Sequence, residues 1–352
     1  MKLFALYVHW PYCLSKCLYC DFASTVCDKI REEILLKRYQ DDLRQIPSDR
    51  PLTSIYFGGG TPSLMSRPFF EALINQITRR FSLAPDIEIS LEANPDAIDR
   101  DKMRFFKAAG VNRFSLGVQS LNDKELRFLG RRHSVKTALQ RIEEGAGVFP
   151  NMNIDLIYGR PHQTCRSWQT ELQRALAFQL PHYSLYQLTL EEKTPLFQMN
   201  PKMPTDEMLR RLYLLTDEIM QQAGRPAYEV SNYARRGYEC RHNMTYWTGG
   251  NYAGIGPAAC GRVNGYATEN ARTVDQWLKT PMTWEKLTAD ERKTEKILMG
   301  LRLCKKGFPK ATLNPDGVQR AVKNHWLVEK GRYVYPTQEG TLMLNQLLML
   351  VT

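Results

Sequence analysis

Cys13, Cys17 and Cys20 form a C-x-x-x-C-x-x-C run that directly follows a short apolar segment at residues 5–10. Closely spaced thiolates of this kind are ligands for iron–sulfur clusters or for zinc. A [4Fe–4S] cluster is normally held by four thiolates, and no fourth cysteine follows at a matching distance. The spacing therefore predicts a cluster with one iron left open to an exogenous ligand, which indicates chemistry or ligand exchange.

Structural zinc is the main alternative for these cysteines. Zinc sites use a C-x(2–4)-C pair together with a second Cys or His pair downstream, and none follows at close range. The candidates for a fourth ligand are Cys27, beyond a predicted turn, and His9, on the preceding predicted strand. Neither has a typical spacing, so the pattern favours iron–sulfur, with zinc and unliganded thiols left open.

The elements that must position these cysteines alternate between strand and helix. Strands are predicted at residues 5–10, 54–57, 87–91, 113–118, 152–157 and 183–188, and helices at 69–81, 100–109, 124–129 and 168–178. Such alternation is typical of right-handed βαβ units around a mainly parallel sheet. Six strands suit either an open doubly wound sheet or an incomplete barrel, and in both folds ligands collect at the carboxyl ends of the strands.

Glycine and polar residues follow several of these predicted strands. They are the triplet Gly58 to Gly60 with Thr61, then Glu92, Gln119 and Gly159 at strand ends, and Asp155 within a strand. Consecutive glycines let a ligand approach the backbone N–H groups because no Cβ atom stands in the way. The triplet matches neither the dinucleotide nor the triphosphate motif.

The pattern along the whole chain predicts three domains, at residues 1–190, 191–283 and 284–352. The middle one is an accessory region rich in aromatic residues and glycine. The last begins with a capping box from Thr288 to Glu291 that starts a helix to about residue 303. A second helix at 317–324, a hairpin at 327–336 and a Leu/Met-rich helix to the end complete a winged-helix-like order. Without a basic recognition helix, we expect a packing module rather than a DNA reader.

Composition restricts the function classes. The 48 Lys and Arg against 37 Asp and Glu give a formal charge of +11. That excess suits nucleic acid, an anionic membrane face or an acidic ligand such as a porphyrin carboxylate, but it forms no uninterrupted basic tract. Eight cysteines in 352 residues do not make a disulfide framework, and iron-binding thiolates need a reducing compartment, so we expect a cytosolic protein without a membrane span.

Taken together, these motifs resemble the radical S-adenosylmethionine (SAM) superfamily. The resemblance rests on Tyr7-Val8-His9, the three cysteines with Tyr19, and residues 58–63. Segments 92–95, 114–120, 130–131 and 153–159 are similar to the branch that contains oxygen-independent coproporphyrinogen III oxidases and HemW-type haem chaperones. The resemblance runs through most of the chain.

The resemblance implies an incomplete (β/α)6 barrel, a [4Fe–4S] cluster on Cys13, Cys17 and Cys20, and SAM whose amino acid end chelates the open iron. By the same resemblance, Tyr19 contacts the adenine, Gly59, Gly60 and Thr61 contact the methionine moiety, and Tyr7, Glu92, Gln119, Arg131 and Asp155 are polar SAM contacts. Each polar residue also has a purely structural interpretation, such as a solvated helix end for Arg131.

Two departures separate the relatives within this branch. The oxidase pattern has another cysteine two residues after the third, whereas here Cys20 is followed by Asp21-Phe22, and the amino-terminal extension of the oxidase is absent. Residues 242–247 also match the H-N-x-x-Y-W signature of HemW-type proteins. We therefore predict His242 as a haem ligand, with Cys240 as an alternative, and no C-x-x-C-H motif indicates covalent attachment.

The sequence thus predicts a haem chaperone that binds a [4Fe–4S] cluster, SAM and haem. We expect it to pass haem to an acceptor protein, at the cytoplasmic face of the membrane. Coproporphyrinogen III oxidation is the enzymatic alternative, and radical SAM modification of RNA is a second one, although no nucleic-acid motif supports it. Whether SAM is cleaved stays open.

Overall fold

The computed structural model describes residues 3–27 and 29–352. In chain order the strands are β1 (Phe4–Trp10), β2 (Tyr12–Cys13), β3 (Thr25–Val26), β4 (Leu52–Gly59), β5 (Leu83–Ala93), β6 (Arg113–Gln119), β7 (Asn151–Tyr158), β8 (His182–Gln187), β9 (Asn232–Ala234), β10 (Asn251–Ile255), β11 (Cys260–Val263), β12 (Tyr266–Glu269), β13 (Thr283–Lys286), β14 (Phe308–Pro309), β15 (Leu327–Lys330) and β16 (Tyr333–Pro336). The helices are α1 (Glu32–Gln45), α2 (Arg67–Arg80), α3 (Arg100–Ala108), α4 (Asp123–Phe128), α5 (Val135–Val148), α6 (Cys165–Leu176), α7 (Pro195–Met199), α8 (Asp206–Gln222), α9 (Arg241–Trp247), α10 (Val274–Trp277), α11 (Ala289–Gly300), α12 (Pro315–Lys323), α13 (Gln338–Leu342) and α14 (Leu344–Val351).

Six parallel strands form the centre of one sheet, in the order β1-β4-β5-β6-β7-β8. They are the six strands that the sequence predicts, and each observed strand lies within a few residues of its predicted bounds. Apolar residues form a nearly continuous run in β1, whereas in β6 they alternate with polar residues and glycine. In β1, for example, Leu6, Val8 and Trp10 are fully buried in the main hydrophobic core. The prediction of an α/β fold with a partial (β/α)6 barrel is confirmed.

The sheet extends beyond these six strands on both sides. β10 pairs parallel with β1, and the antiparallel strands β11, β12 and β13 continue from it, while β9 pairs antiparallel with β8. The strands between residues 232 and 286 therefore belong to the same sheet as the barrel. The domain boundaries at 190 and 283 stay predictions.

Local sequence signals set the ends of several barrel helices. The Ser66 hydroxyl accepts a hydrogen bond from the Phe69 N–H at the start of α2, and the Asp99 carboxylate accepts one from the Lys102 N–H at the start of α3. Such side-chain caps satisfy N–H groups that lack a partner within the helix. Helices α1, α5 and α8 were not predicted, and α1 has no side-chain cap at Arg31 that could have marked its start.

The carboxyl-terminal residues form a small module with its own hydrophobic core. The predicted capping box is present: Glu291 N–H donates to the Thr288 hydroxyl at 3.2 Å, and Thr288 N–H donates to the Glu291 carboxylate at 2.8 Å. α11, α12 and a three-stranded sheet in the order β14-β16-β15 follow. The predicted final helix is interrupted at Met343, which separates α13 from α14.

None of the helices described across residues 3–27 and 29–352 combines the length and the hydropathy that a membrane span requires.

Candidate functional site

A cavity of about 450 Å³ opens inside the barrel at the carboxyl ends of the parallel strands. Its wall contains most of the residues that the sequence singles out. They are Cys13, Cys17, Tyr19, Cys20, Gly59, Gly60, Glu92, Gln119, Arg131 and Asp155. Residues that lie up to 142 positions apart, from Cys13 to Asp155, thus meet at one site.

Cys13 is the last residue of β2, Cys17 and Cys20 lie on the loop between β2 and β3, and all three are half-buried. This loop is held in place from both sides, because Leu18 N–H donates to the Leu129 carbonyl at 3.1 Å and the Leu18 carbonyl accepts from Leu196 N–H at 2.9 Å. In the described part of the chain, no three His, Cys, Asp or Glu side chains converge on a position for one metal ion. A cubane does not need that convergence, since each thiolate binds a different iron atom.

Arg131 connects the cysteine loop to the ends of β5 and β6. Its guanidinium donates to Cys17 Sγ at 3.3 Å, to the Asn94 Oδ1 atom at 2.7 Å and to the Gly117 carbonyl at 2.6 Å. Burial alone lowers the pKa of Arg131, but Tyr19 and Cys17 raise it overall. The guanidinium places a fixed positive charge beside one of the three sulfur atoms, which suits thiolate ligands of iron. The residues present therefore fit a three-thiolate cluster.

The glycine segment after β4 lies against the backbone of the cysteine loop. Gly60 N–H donates to the Trp10 carbonyl at 2.7 Å, and Thr61 N–H donates to the Tyr12 carbonyl at 2.8 Å. A Cβ atom on Gly60 would lie 2.5 Å from the Tyr12 carbonyl oxygen, and Gly59 has a φ of +108°. Both positions therefore require glycine, which brings the end of β4 within hydrogen-bonding distance of β1 and β2.

Two buried carboxyl groups lie deeper in the cavity. Glu92 Oε1 accepts a hydrogen bond from the Tyr56 hydroxyl at 2.7 Å, and burial raises the pKa of Glu92 to about 7 although this bond lowers it. Asp155 accepts from the Asn153 amide at 2.7 Å and from the Ser115 hydroxyl, and burial raises its pKa as well. Burial destabilises the charged form of such a carboxyl group. A cationic or hydroxyl-bearing ligand therefore stabilises the carboxylate more here than it would in water.

Two further residues of the cavity wall had no role assigned from the sequence, although Asn94 lies in the segment 92–95 that carries the resemblance. Asn94 donates to the Thr61 hydroxyl at 2.9 Å while it accepts from Arg131, so it couples the glycine segment to the arginine. Arg113, the first residue of β6, is 2 % exposed, and its Nε atom has no hydrogen-bond partner among the described residues. Burial alone lowers the pKa of Arg113, but Cys240 and Glu88 raise it overall, so the cavity holds a buried cation. An arginine at the start of a predicted core strand was the available signal.

Tyr7 and Thr61 do not belong to the wall of this cavity. The Tyr7 hydroxyl is hydrogen-bonded to His9 Nδ1 at 3.0 Å, and Thr61 is buried beneath Asn94. Their contacts with SAM stay predictions. Both residues lie behind the residues that line the cavity.

His242 lies on α9, which packs against the amino-terminal part of β4 rather than beside the cysteines. The ring is 1 % exposed, its Nδ1 is 3.0 Å from the Ser54 hydroxyl, and its Nε2 is 2.5 Å from the Tyr246 hydroxyl. The ring also stacks on Tyr56 at a centroid distance of 5.0 Å, and burial lowers the pKa of His242 to about 3. Haem ligation by His242 would require one of these hydrogen bonds to break and the buried ring to become accessible, so this role stays a prediction.

Cys240, the alternative haem ligand, is also fully buried. Its Sγ lies 3.5 Å from a Glu88 carboxylate oxygen, and the same carboxylate accepts from the backbone N–H groups of Arg241 and His242 at 3.1 Å. Burial raises the pKa of Cys240 to about 12. A thiol held in this way is a poor source of thiolate for iron.

The sequence and the fold both match known proteins. Residues 7–174 match the model of the radical SAM superfamily. The solved structure of the radical SAM enzyme coproporphyrinogen III oxidase (HemN) from Escherichia coli has a TM-score of 0.85, with 99% of this chain and 90% of that chain covered at 20% identity. The fold and the three-cysteine site thus define a radical SAM protein.

Similarity to individual proteins narrows this class. Heme chaperone HemW from E. coli is 32% identical, with 98% of this chain and 97% of the relative covered, and HemW from Buchnera aphidicola of Acyrthosiphon pisum has the same identity and coverage. Radical S-adenosyl methionine domain-containing protein 1, mitochondrial, from Danio rerio is 37% identical over 85% of this chain and 72% of that protein. The chain belongs to the HemW family of radical SAM proteins.

Proposed function

We propose that this protein is a haem chaperone that carries a [4Fe–4S] cluster on Cys13, Cys17 and Cys20, binds SAM in the barrel cavity, and transfers haem to an acceptor protein. The observation that carries the proposal is the similarity to heme chaperone HemW, which extends over 97% of the relative. The site supports it, since Cys20 is followed by Asp21-Phe22 and not by a fourth closely spaced cysteine.

Different residues of the cavity would bind different parts of the cluster and of SAM. A bound [4Fe–4S] cluster would supply an iron that the amino acid end of SAM chelates. Arg131 donates to Cys17 Sγ and fixes the cysteine loop, and Gly59 and Gly60 bring the end of β4 close to that loop, next to the position proposed for the methionine moiety. Glu92 and Asp155 accept hydrogen bonds from the ammonium and hydroxyl groups of SAM, because both carboxyl groups are buried in the same cavity.

The free thiols support the proposal of a reducing cellular compartment. All eight cysteines are free in the structure, and thiols that hold iron need a reducing compartment. We place the protein in the cytoplasm, where its charge of +11 favours haem propionates and the anionic inner face of the membrane. The acceptor would be a haem-binding protein at that face.

An anaerobic experiment tests this function. Purified protein with a reconstituted cluster is titrated with haem, then mixed with an apo-haem protein to follow transfer, while coproporphyrinogen III turnover is assayed in parallel. Stoichiometric uptake and transfer without turnover support the chaperone. Formation of protoporphyrinogen at enzymatic rates would overturn it in favour of the oxidase, and absence of haem uptake would overturn it outright.

A further inference from the structure

A second cavity, a groove of about 670 Å³, lies on the outer side of the cysteine loop. Four distant parts of the chain form it: the cysteine loop with its flanks, the start of α1, Lys193 between β8 and α7, and the segment that leads into and follows α10. Its volume lies within the range of about 300–1,000 Å³ that is usual for small-molecule sites. We refer to it below as the outer groove.

The outer groove exposes large apolar side chains. Phe22, Val26 and Ile34 line it and are 58%, 51% and 43% exposed. Leu35 and Leu278 line it as well and are more buried. Exposed apolar side chains that cluster in one concave surface mark a binding site, whereas isolated ones do not.

The charges around these apolar residues are mainly positive. Lys16, Lys29, Arg31, Lys193 and Arg272 line the outer groove, against the acidic residues Asp21 and Asp275, which leaves an excess of three positive charges. An apolar floor with a cationic rim is complementary to a flat, apolar ligand that carries carboxylates at its edge. Haem, with two propionates on an apolar macrocycle, has this chemistry.

We propose that the outer groove is the haem site of this protein, with the macrocycle against Phe22, Val26 and Ile34 and the propionates toward Arg31 and Arg272. The proposal rests on the proposed chaperone function and gives it a location. It departs from the sequence-based expectation that His242 receives haem, because that ring is buried and both of its nitrogens are hydrogen-bonded.

Cys27 supplies the axial ligand in this site. It lines the outer groove, is half-buried, and its Sγ donates only to the Lys29 carbonyl, at 3.3 Å, among the contacts of the described residues. The other cysteine of the lining, Cys20, belongs to the cluster motif. A cysteine thiolate is an established type of proximal haem ligand.

The outer groove and the barrel cavity share a wall. Lys16, Cys20, Asp21, Phe22 and Ser24 line both. The Lys16 ammonium holds this wall together by donating to the carbonyls of Phe22 at 3.1 Å and Ser24 at 3.3 Å. Haem in the outer groove would therefore lie against the same loop that carries the cluster.

Charge reversal at the rim tests the location. The full-length protein with its cluster is titrated anaerobically with ferric haem, and binding is followed by Soret absorbance. Since exposed ion pairs are individually weak, we expect the double variant Arg31→Glu/Arg272→Glu to bind haem roughly tenfold more weakly. The control Lys124→Glu/Lys136→Glu makes the same charge change at exposed positions outside the outer groove and should bind as the wild type does. Iron and sulfide contents equal to the wild type show that each variant is folded.

A second pair of variants tests the ligand and separates this proposal from the function on which it rests. Cys27→Ser should abolish the thiolate signature in the electron paramagnetic resonance spectrum of the ferric complex, while His242→Ala should leave it intact. If the wild type binds haem but both outer-groove variants bind it with unchanged affinity and spectra, the location is wrong and the chaperone function stands. If the wild type takes up no haem, the proposed function itself is wrong.

Discussion

Glu92 should make both the stability of the protein and its affinity for SAM depend on pH. Its pKa rises from 4.5 to about 7 in the folded chain, mainly because burial disfavours the charged carboxylate. Below pH 4.5 the carboxyl group is protonated in both the folded and the unfolded chain. As the pH rises, the unfolded chain loses this proton first, so the folded state becomes relatively less stable until the pH passes about 7.

The size of the effect follows from the shift. Each pKa unit corresponds to about 1.4 kcal/mol, which gives an upper limit of about 3 kcal/mol for Glu92 above pH 7. The side chain keeps partial access to the cavity, so screening reduces the expected value to about 2 kcal/mol. At about 2.1 cal/mol/K per residue, the unfolding entropy of a chain of this length converts that value into roughly 3 °C of melting temperature.

The variant Glu92→Gln removes this titration and keeps an oxygen that can accept from the Tyr56 hydroxyl. Without SAM, its melting temperature relative to the wild type should rise by about 3 °C between pH 5 and pH 8.5. Its affinity for SAM at pH 8.5 should fall roughly 10- to 100-fold, since a hydrogen bond to a charged group contributes about 1.5–3 kcal/mol. Glu71→Gln on the exposed side of α2 is the control and should change neither quantity.

Differential scanning fluorimetry at several pH values and equilibrium binding of SAM to the protein with its cluster measure the two effects. A melting difference between Glu92→Gln and the wild type that is the same at pH 5 and pH 8.5 would show that Glu92 titrates normally. Unchanged SAM affinity would remove Glu92 from the binding site.

Three further substitutions probe the cluster loop and α9. Cys17→Ser should lose the visible absorbance and the iron of the reconstituted cluster. The control Cys165→Ser, at the start of α6 outside the cavity, should keep both. Equal iron contents in the two variants would contradict the cluster assignment. Gly60→Ala places a Cβ 2.5 Å from the Tyr12 carbonyl oxygen and should lower the stability by about 1–3 kcal/mol, measured by thermal unfolding. Its control is Gly147→Ala, which should not destabilise the protein because a Cβ there would meet no atom within 4 Å. Tyr246→Phe leaves a buried imidazole nitrogen unpaired and should lower the stability by about 1–3 kcal/mol, so an unaltered melting curve would show that α9 does not depend on this bond.

The strands of the barrel were predictable because the pattern of apolar residues in each strand reflects which of its side chains are buried. β1 is apolar almost throughout, as expected for a parallel strand covered on both faces, whereas in β6 Phe114, Leu116 and Val118 alternate with residues that line the cavity. β10 lies in the same sheet but was not predicted, because it is short and contains Gly254. A Cβ at Gly254 would lie 2.4 Å from the Cys260 carbonyl oxygen, so glycine there follows from a tertiary contact that no local pattern shows.

The candidate site was predictable where its residues form local motifs and not where the closed barrel creates their environment. The three cysteines, Gly59, Gly60 and Arg131 stand in recognisable short segments and line the cavity, whereas Gly58 and Thr61 do not line it. Arg113 lies in no such motif, and its buried setting depends on side chains such as Glu88 and Cys240 that are distant from it in sequence. The outer groove was invisible for the same reason, since Ile34 and Leu278 are far apart in sequence.

The two cavities differ in the charge that they favour, and this difference supports the separate sites proposed for SAM and haem. Inside the barrel, Glu92 and Asp155 are buried carboxyl groups, which favour the sulfonium and ammonium groups of SAM. On the outer groove the exposed cations exceed the acids by three, which favours a dicarboxylate. Haem placed against His242 would have to displace buried, hydrogen-bonded side chains, whereas haem in the outer groove would cover apolar surface that is already exposed. The second arrangement costs less, because burying exposed apolar area is itself favourable, and it leaves α9 free to close the amino-terminal end of the barrel.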